Sequence, residues 1–218
     1  MAGIIPRVGT IIHGFVECRT WELGREYGDN AWYSAISLAM LGMTDDCGAF
    51  DCLFGVLGSG KWRPVAPVRG LPPDAAELTR TDFDSLGAAA YGATFLSWRE
   101  AESIDWDEPA LDFATADVVQ YRRLPDQDLE LVRRPVWDHG FAAASGVDTL
   151  TVTPDRVSEL FAEGTEWTVG DVVFRVERPR RREVMPPDGA WAPVWTVMRA
   201  LARIHGDDGV RLVAWFEG

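Results

Sequence analysis

The sequence predicts an α+β fold: one domain, residues 1–218, with a mixed or mostly antiparallel sheet and several short helices. Three observations predict it. Strand-like and helix-like segments alternate without a regular βαβ repeat, which argues against a parallel doubly wound sheet. There is no internal repeat and no low-complexity linker, and the acidic stretch 100–117 is too short to separate independent domains. The 218 residues are 47% hydrophobic and 25% charged, enough for a sizeable core without disulfide or metal staples.

The elements follow in order. Residues 10–19 alternate, with Ile12, Gly14, Val16 and Cys18 facing one way and Ile11, His13, Phe15, Glu17 and Arg19 the other, so they read as a strand. Asn30 stands as a cap for a helix over 31–41, because Trp32, Ala35, Ile36, Ala39 and Met40 follow helical spacing and Gly42 is a stop. Residues 47–57 read as a short helix. The prolines at 64, 67, 72 and 73 make 58–73 mostly loop, and 73–79 reads as a short helix with Pro at its start. Ser97 and Glu100 form a capping-box pattern. Residues 118–124 and 147–152 read as strands. Thr153 followed by Pro154 opens a helix to 162, and 166–178 reads as two strands about a Gly170-Asp171 turn. The clearest helix is 191–205, with Trp191, Val194, Trp195, Met198, Leu201, Ala202 and His205 on one stripe; 210–216 then closes as a buried strand.

The net charge of −13 disfavours bulk nucleic-acid or anionic-membrane binding, since both partners carry the same sign. Lys61 is the only lysine among 21 basic residues and Asn30 the only asparagine, a skew that a GC-rich genome explains. Ten tryptophans are not explained that way. Cys18, Cys47 and Cys52 make an odd set with no CxxC pair, which fits free thiols in a reducing compartment. No basic-then-apolar leader and no run of 18 apolar residues is present, so a cytoplasmic location without a membrane span is expected.

Motifs that carry chemistry are sparse. Residues 55–61 match GxxxxGK, but Trp62 stands where a hydroxyl should bind magnesium, and Pro64 and Pro67 interrupt the required helix. On the polar face of the first strand, His13 and Glu17 are candidates for acid/base catalysis and Arg19 for anion binding. Four residues along a strand span about 13.6 Å, too far for His13 and Glu17 to share a metal. The basic run 178–182 is a possible phosphate site or a solvated turn paired with the chain's own carboxylates. His205 suits a helix C-terminus, and His139 falls in a loop. Trp62, Trp98, Trp106, Trp137 and Trp167 lie in or near loops; Trp98 and Trp106 are the candidate stacking pair for a flat ligand. No metal or cofactor is expected.

Four stretches, Ile12-His13-Gly14-Phe15-Val16-Glu17, Arg69-Gly70-Leu71-Pro72-Pro73-Asp74, Ser97-Trp98-Arg99-Glu100 with Asp105-Trp106, and 198–216 with Val210-Arg211-Leu212-Val213, resemble a family of small uncharacterised proteins of bacteriophages and some bacteria. The resemblance spans most of the chain and implies a role in host takeover or in defence and counter-defence. His13, Glu17, Arg69 and Asp74 are its matching positions with functional chemistry. Ile11 departs from an acidic residue before the His, and Tyr91 stands near an expected His. Two functions are therefore expected. One is an accessory protein that binds a host protein or a small anionic, nucleotide-like ligand through Arg19, Arg69, Asp74, Trp98 and Trp106. The alternative is a hydrolase or transferase of small molecules using His13 and Glu17, with Arg19 or Arg69 holding an anion.

Overall fold

The described strands pair into two antiparallel four-stranded sheets, in the orders β2-β1-β8-β3 and β5-β4-β7-β6. The strands are β1 (Ile11–Arg19), β2 (Trp32–Ser37), β3 (Ala90–Ser97), β4 (Asp117–Arg123), β5 (Leu129–Arg133), β6 (Glu166–Val169), β7 (Val172–Glu177) and β8 (Val210–Glu217). Short helices fill the connections: α1 (Cys47–Ala49), continued as a π-helical stretch over Phe50–Phe54, then α2 (Glu77–Leu86), α3 (Trp98–Glu102), α4 (His139–Ser145), α5 (Val157–Leu160), α6 (Arg181–Val184) and α7 (Ala192–His205). The architecture is α+β with antiparallel sheets. The computed structural model describes residues 10–19, 31–43, 45–56 and 61–218. By its internal contacts the chain divides into two compact units, Met1–Asp107 with Arg181–Gly218, and Glu108–Arg180.

In the first unit, β8 is an inner strand, buried from Val210 through Phe216, as expected of a continuous apolar run covered on both faces. One face sets Phe15, Val213 and Trp215 against α2, where Phe83 meets Trp215 edge-on at 5.7 Å. On the other face Phe216 meets Phe50 at 5.1 Å and Phe54 at 5.7 Å. The stripe Val194, Trp195, Met198 and Ala202 buries α7, which packs on β1 and β8. Gly14 is required where β1 crosses β8: its φ is +153°, and a Cβ there would run into the carbonyl oxygen of Val213.

The second unit is built on rings. Phe141 of α4 is fully buried and touches Trp137, Phe161, Trp167 and Phe174, at centroid distances of 5.1, 6.3, 5.2 and 5.8 Å. Val118, Val136, Val157 and Val176 complete that core.

Several elements differ from expectation. Residues 32–37 form β2, not part of a helix over 31–41; pairing with β1 overrides the helical spacing, and Ala35, Ala39 and Met40 of the supposed stripe are exposed. Its proposed cap, Asn30, lies outside the described residues. The helix expected over 73–79 starts later, at Glu77. Residues 147–152 form no strand but a turn built on Asp148, whose Oδ1 accepts from Leu150 N and Oδ2 from the Thr151 hydroxyl. The helix expected from Thr153 to 162 is a 3-10 turn followed by the four residues of α5. β3, β5 and α4 are additional; His139 opens α4 behind the Asp138 cap.

Candidate functional site

β1 and β8 pair antiparallel, which sets His13 opposite Trp215 and Glu17 opposite Arg211. His13 Nε2 lies 2.9 Å from Glu217 Oε2, and its ring stacks on Trp215 at 6.2 Å. Glu17 is completely buried. Its Oε2 accepts from Arg211 Nε at 2.8 Å and its Oε1 from the Ala76 N–H at 3.0 Å. Both oxygens are thus held inside the protein. His13 and Glu17 bond to different neighbours, Glu217 for the one and Arg211 with the Ala76 N–H for the other, so these hydrogen bonds do not join them as an acid/base pair.

Arg211 reaches past Glu17 to Asp74. Its Nη1 donates to Asp74 Oδ1 at 2.8 Å and its Nη2 to the Asp74 carbonyl at 3.1 Å. Asp74 Oδ2 also accepts from Trp32 Nε1 at 2.9 Å and from Arg19 Nη2 at 3.1 Å. The Arg211 and Arg19 guanidiniums lie 3.8 and 4.7 Å from the Trp32 ring centroid, in cation–π contact. Burial pushes the Asp74 carboxyl pKa up, but hydrogen bonds from Arg211 and Trp32 and the Arg211 charge outweigh it and hold the pKa below the usual carboxylate value. Glu17, Arg19, Asp74, Trp32 and Arg211 therefore form one clamp that fixes residues 74–76 against the sheet. Just beyond, the Ser34 and Thr79 hydroxyls are 2.8 Å apart and tie β2 to α2.

A cleft of about 720 Å³ opens beside this clamp, lined by residues 31–34 on one side and 74–78 with Thr81 on the other. Trp32 and the 57%-exposed Leu78 supply apolar surface; Asp74 and Glu77 supply charge.

The remaining expected site residues lie elsewhere. Arg69 donates from Nη1 and Nη2 to Glu100 Oε1, each at 3.0 Å, and lies over Phe95. Glu100 also closes the Ser97 capping box. Trp98 is buried beneath Arg199, whereas Trp106 meets Trp195 edge-on at 6.3 Å, so each ring is taken up by a different neighbour. Within the basic run, Arg178 pairs with Glu163 and Arg182 with Asp107, while Arg181 is buried and donates to the Cys52 and Arg63 carbonyls. Residues 57–60 of the GxxxxGK match lie outside the described residues, and no helix follows Lys61 until Glu77. Among the described residues no group of three or more His, Cys, Asp or Glu side chains is placed to hold a metal, and no helix is long and apolar enough to cross a membrane.

Sequence reasoning reached Glu17, Arg19 and Asp74 but missed Trp32 and Arg211, which complete the cluster. The available signal was strand pairing: once 10–19 and 210–216 are neighbours, Glu17 needs a cation across the ladder, and Arg211 is the basic residue in that strand. No family model, curated protein or solved structure matches the chain.

Proposed function

We propose that the chain is a non-catalytic accessory protein of phage type that binds a host protein through the cleft between β2 and the start of α2. The observation that carries this reading is the fate of the reactive groups. Both Glu17 oxygens, Arg211 and Asp74 are engaged in one another, while the cleft beside them combines apolar surface with exposed carboxylates. An enzyme needs groups with spare bonding capacity aimed at a substrate. A phosphate ligand needs cations, and Arg19 and Arg211, the two arginines of the clamp, are paired with carboxylates, while Arg80 is turned to the Pro73 carbonyl. A protein partner needs neither.

The resemblance to bacteriophage and bacterial proteins supports the setting, host takeover or defence and counter-defence. Cys18 is a buried free thiol, which supports a cytoplasmic location. The test is a photo-reactive phenylalanine analogue at Leu78 in the cleft, compared with one at the 84%-exposed Leu150, in bacterial cells making the protein. The reading expects a discrete cross-linked protein from position 78 and none from position 150. No product at position 78, or the same products at both, overturns it.

A further inference from the structure

We propose that two copies of the chain pair through β5, antiparallel and about a two-fold axis, with Glu130 of each copy set against Arg133 of the other. The contact uses the second unit alone and does not depend on the reading of the cleft.

Exposure carries the first part of the argument. β5 is an outer strand of its sheet, and among the described strands it pairs with β4 alone. The residues leading into it, 124–128, and out of it, 134–138, are all described. Four of its five residues are exposed, and two of them are apolar: Leu131 at 50% and Val132 at 45%. Adjacent apolar side chains on an exposed outer strand favour pairing with another strand, and charged residues normally deter it. In β5 the charges are one of each sign, Glu130 and Arg133, so they deter most strands but complement a second β5. β6, the other outer strand of this sheet, carries Glu166 and no cation and cannot complement itself.

Register carries the second part. Glu130 lies opposite Arg122, and Arg133 opposite Gln120, while Leu131 lies opposite Tyr121. Gln120 and Arg122 are two apart on β4 and share a face, and directly opposed residues share a face. Glu130 and Arg133 therefore lie on one face although they are three apart in sequence. The bulge that shifts the register between Gln120 and Tyr121 takes up the odd residue, Val132. On a regular strand residues three apart face opposite ways. A two-fold axis normal to the sheet keeps each face on its own side, so without the bulge Glu130 could not meet Arg133 of a second copy. With it, one register sets Glu130 against Arg133 twice and Leu131 beside Val132 twice. Opposed charges and opposed apolar residues are the pairs that stabilise an antiparallel ladder.

Both charged groups have bonding capacity left. Arg133 bonds through Nη2, to Gln120 Oε1 and Asp138 Oδ2, which leaves its Nε and Nη1 for a new acceptor. Glu130 Oε2 is 3.9 Å from Arg122 Nη1, the outer limit of an ion pair, and both side chains are more than half exposed. The surroundings are close to neutral. Asp117, Asp126, Asp128, Glu130 and Asp138 face Arg122, Arg123, Arg133 and Arg134 over residues 117–138, a net charge of −1 in a chain of −13, so the second copy meets little local repulsion. Two strands of this length bury less than a standard interface, and the dimer is accordingly a weak one.

The test is sedimentation velocity of the full chain at concentrations up to about 1 mM, where a reversible monomer–dimer equilibrium with a Kd of about 0.1 mM is expected. Glu130→Arg and Arg133→Glu each set like charges against each other across the axis and should weaken the dimer about tenfold. Mixed one to one, the two variants restore both pairs between unlike chains and should form a heterodimer at about the original Kd. A variant that had merely lost its fold could not be rescued by mixing, and thermal midpoints check each one separately. A monomer over the whole range, a dimer that Glu130→Arg does not weaken, or a mixture that associates no better than either variant alone overturns the proposal.

Discussion

In the first unit an ion pair spans the two inner strands of the sheet, whereas in the second the core is a cluster of aromatic rings. Every buried polar side chain among the described residues, Glu17, Asp51, Thr79, Thr94, Arg181 and Arg211, belongs to the first unit. Most ion pairs of the second unit, such as Arg133–Asp138, Arg156–Glu159 and Arg178–Glu163, lie near the surface; Arg134, paired with Asp117, is the most enclosed, yet neither partner is fully buried. Rings packed edge to face give stability directly. A buried ion pair is a poor source of net stability, since desolvation consumes most of its Coulombic gain, but it fixes which groups lie opposite each other. Glu17 and Arg211 fix β1 against β8 and, through the Ala76 N–H and Asp74, position the wall of the cleft. The unit that carries polar groups in its core is the one that carries the candidate site.

The largest effect is expected from breaking the clamp. Arg211→Met leaves Glu17 buried without its cation and should cost about 4 kcal/mol in urea unfolding of the first unit. Glu17→Gln with Arg211→Met should recover part of it. A loss below about 1 kcal/mol for Arg211→Met would show that the pair does not organise the sheet. In the second unit, Phe141→Ala should cost about 3 kcal/mol, read by amide exchange in β4 and β7 while β1 and β8 keep their protection. Equal losses in both units would erase the contrast.

Smaller effects sharpen it. Asp138 caps α4 by accepting from the Phe141 N–H, and Asp138→Ala should cost about 1 kcal/mol. That hydrogen bond lowers the Asp138 pKa; burial opposes it and Arg133 adds to it. Asp74 is lowered too. A carboxylate with a lowered folded pKa contributes fully above its unfolded value, about 3.9, and the contribution fades as pH falls through the folded value. Urea midpoints should therefore fall below about pH 4, and Asp138→Asn should flatten the second unit's share. The smallest effect is expected at the exposed Arg156–Glu159 pair, where Arg156→Ala should change stability by less than about 0.5 kcal/mol, within the scatter of unfolding measurements.

Elements whose periodicity is long or whose caps are explicit were legible: β1, β8, the β6–β7 hairpin, α7 and the Ser97–Glu100 box. β2 was not, because over six residues Trp32, Ala35 and Ile36 satisfy helical spacing as well as strand propensity, and only pairing with β1 decides. β3 was hidden by Gly92, whose φ of +65° interrupts the alternation. At the site, Glu17, Arg19 and Asp74 stood out as charged groups in otherwise apolar or proline-rich segments. Their convergence on Arg211 and Trp32 depends on strand order and on the path of residues 72–76, which no local pattern encodes.

The central claim is that the Glu17–Arg211 pair organises the strands and the cleft wall of the first unit. Amide hydrogen exchange of Arg211→Met compares the two units in one measurement. The account predicts that amides in Val210–Glu217 and at Ala76 exchange about tenfold faster while those in Asp117–Arg123 exchange as before. Unchanged exchange in β8, or equal losses in β8 and β4, would contradict it.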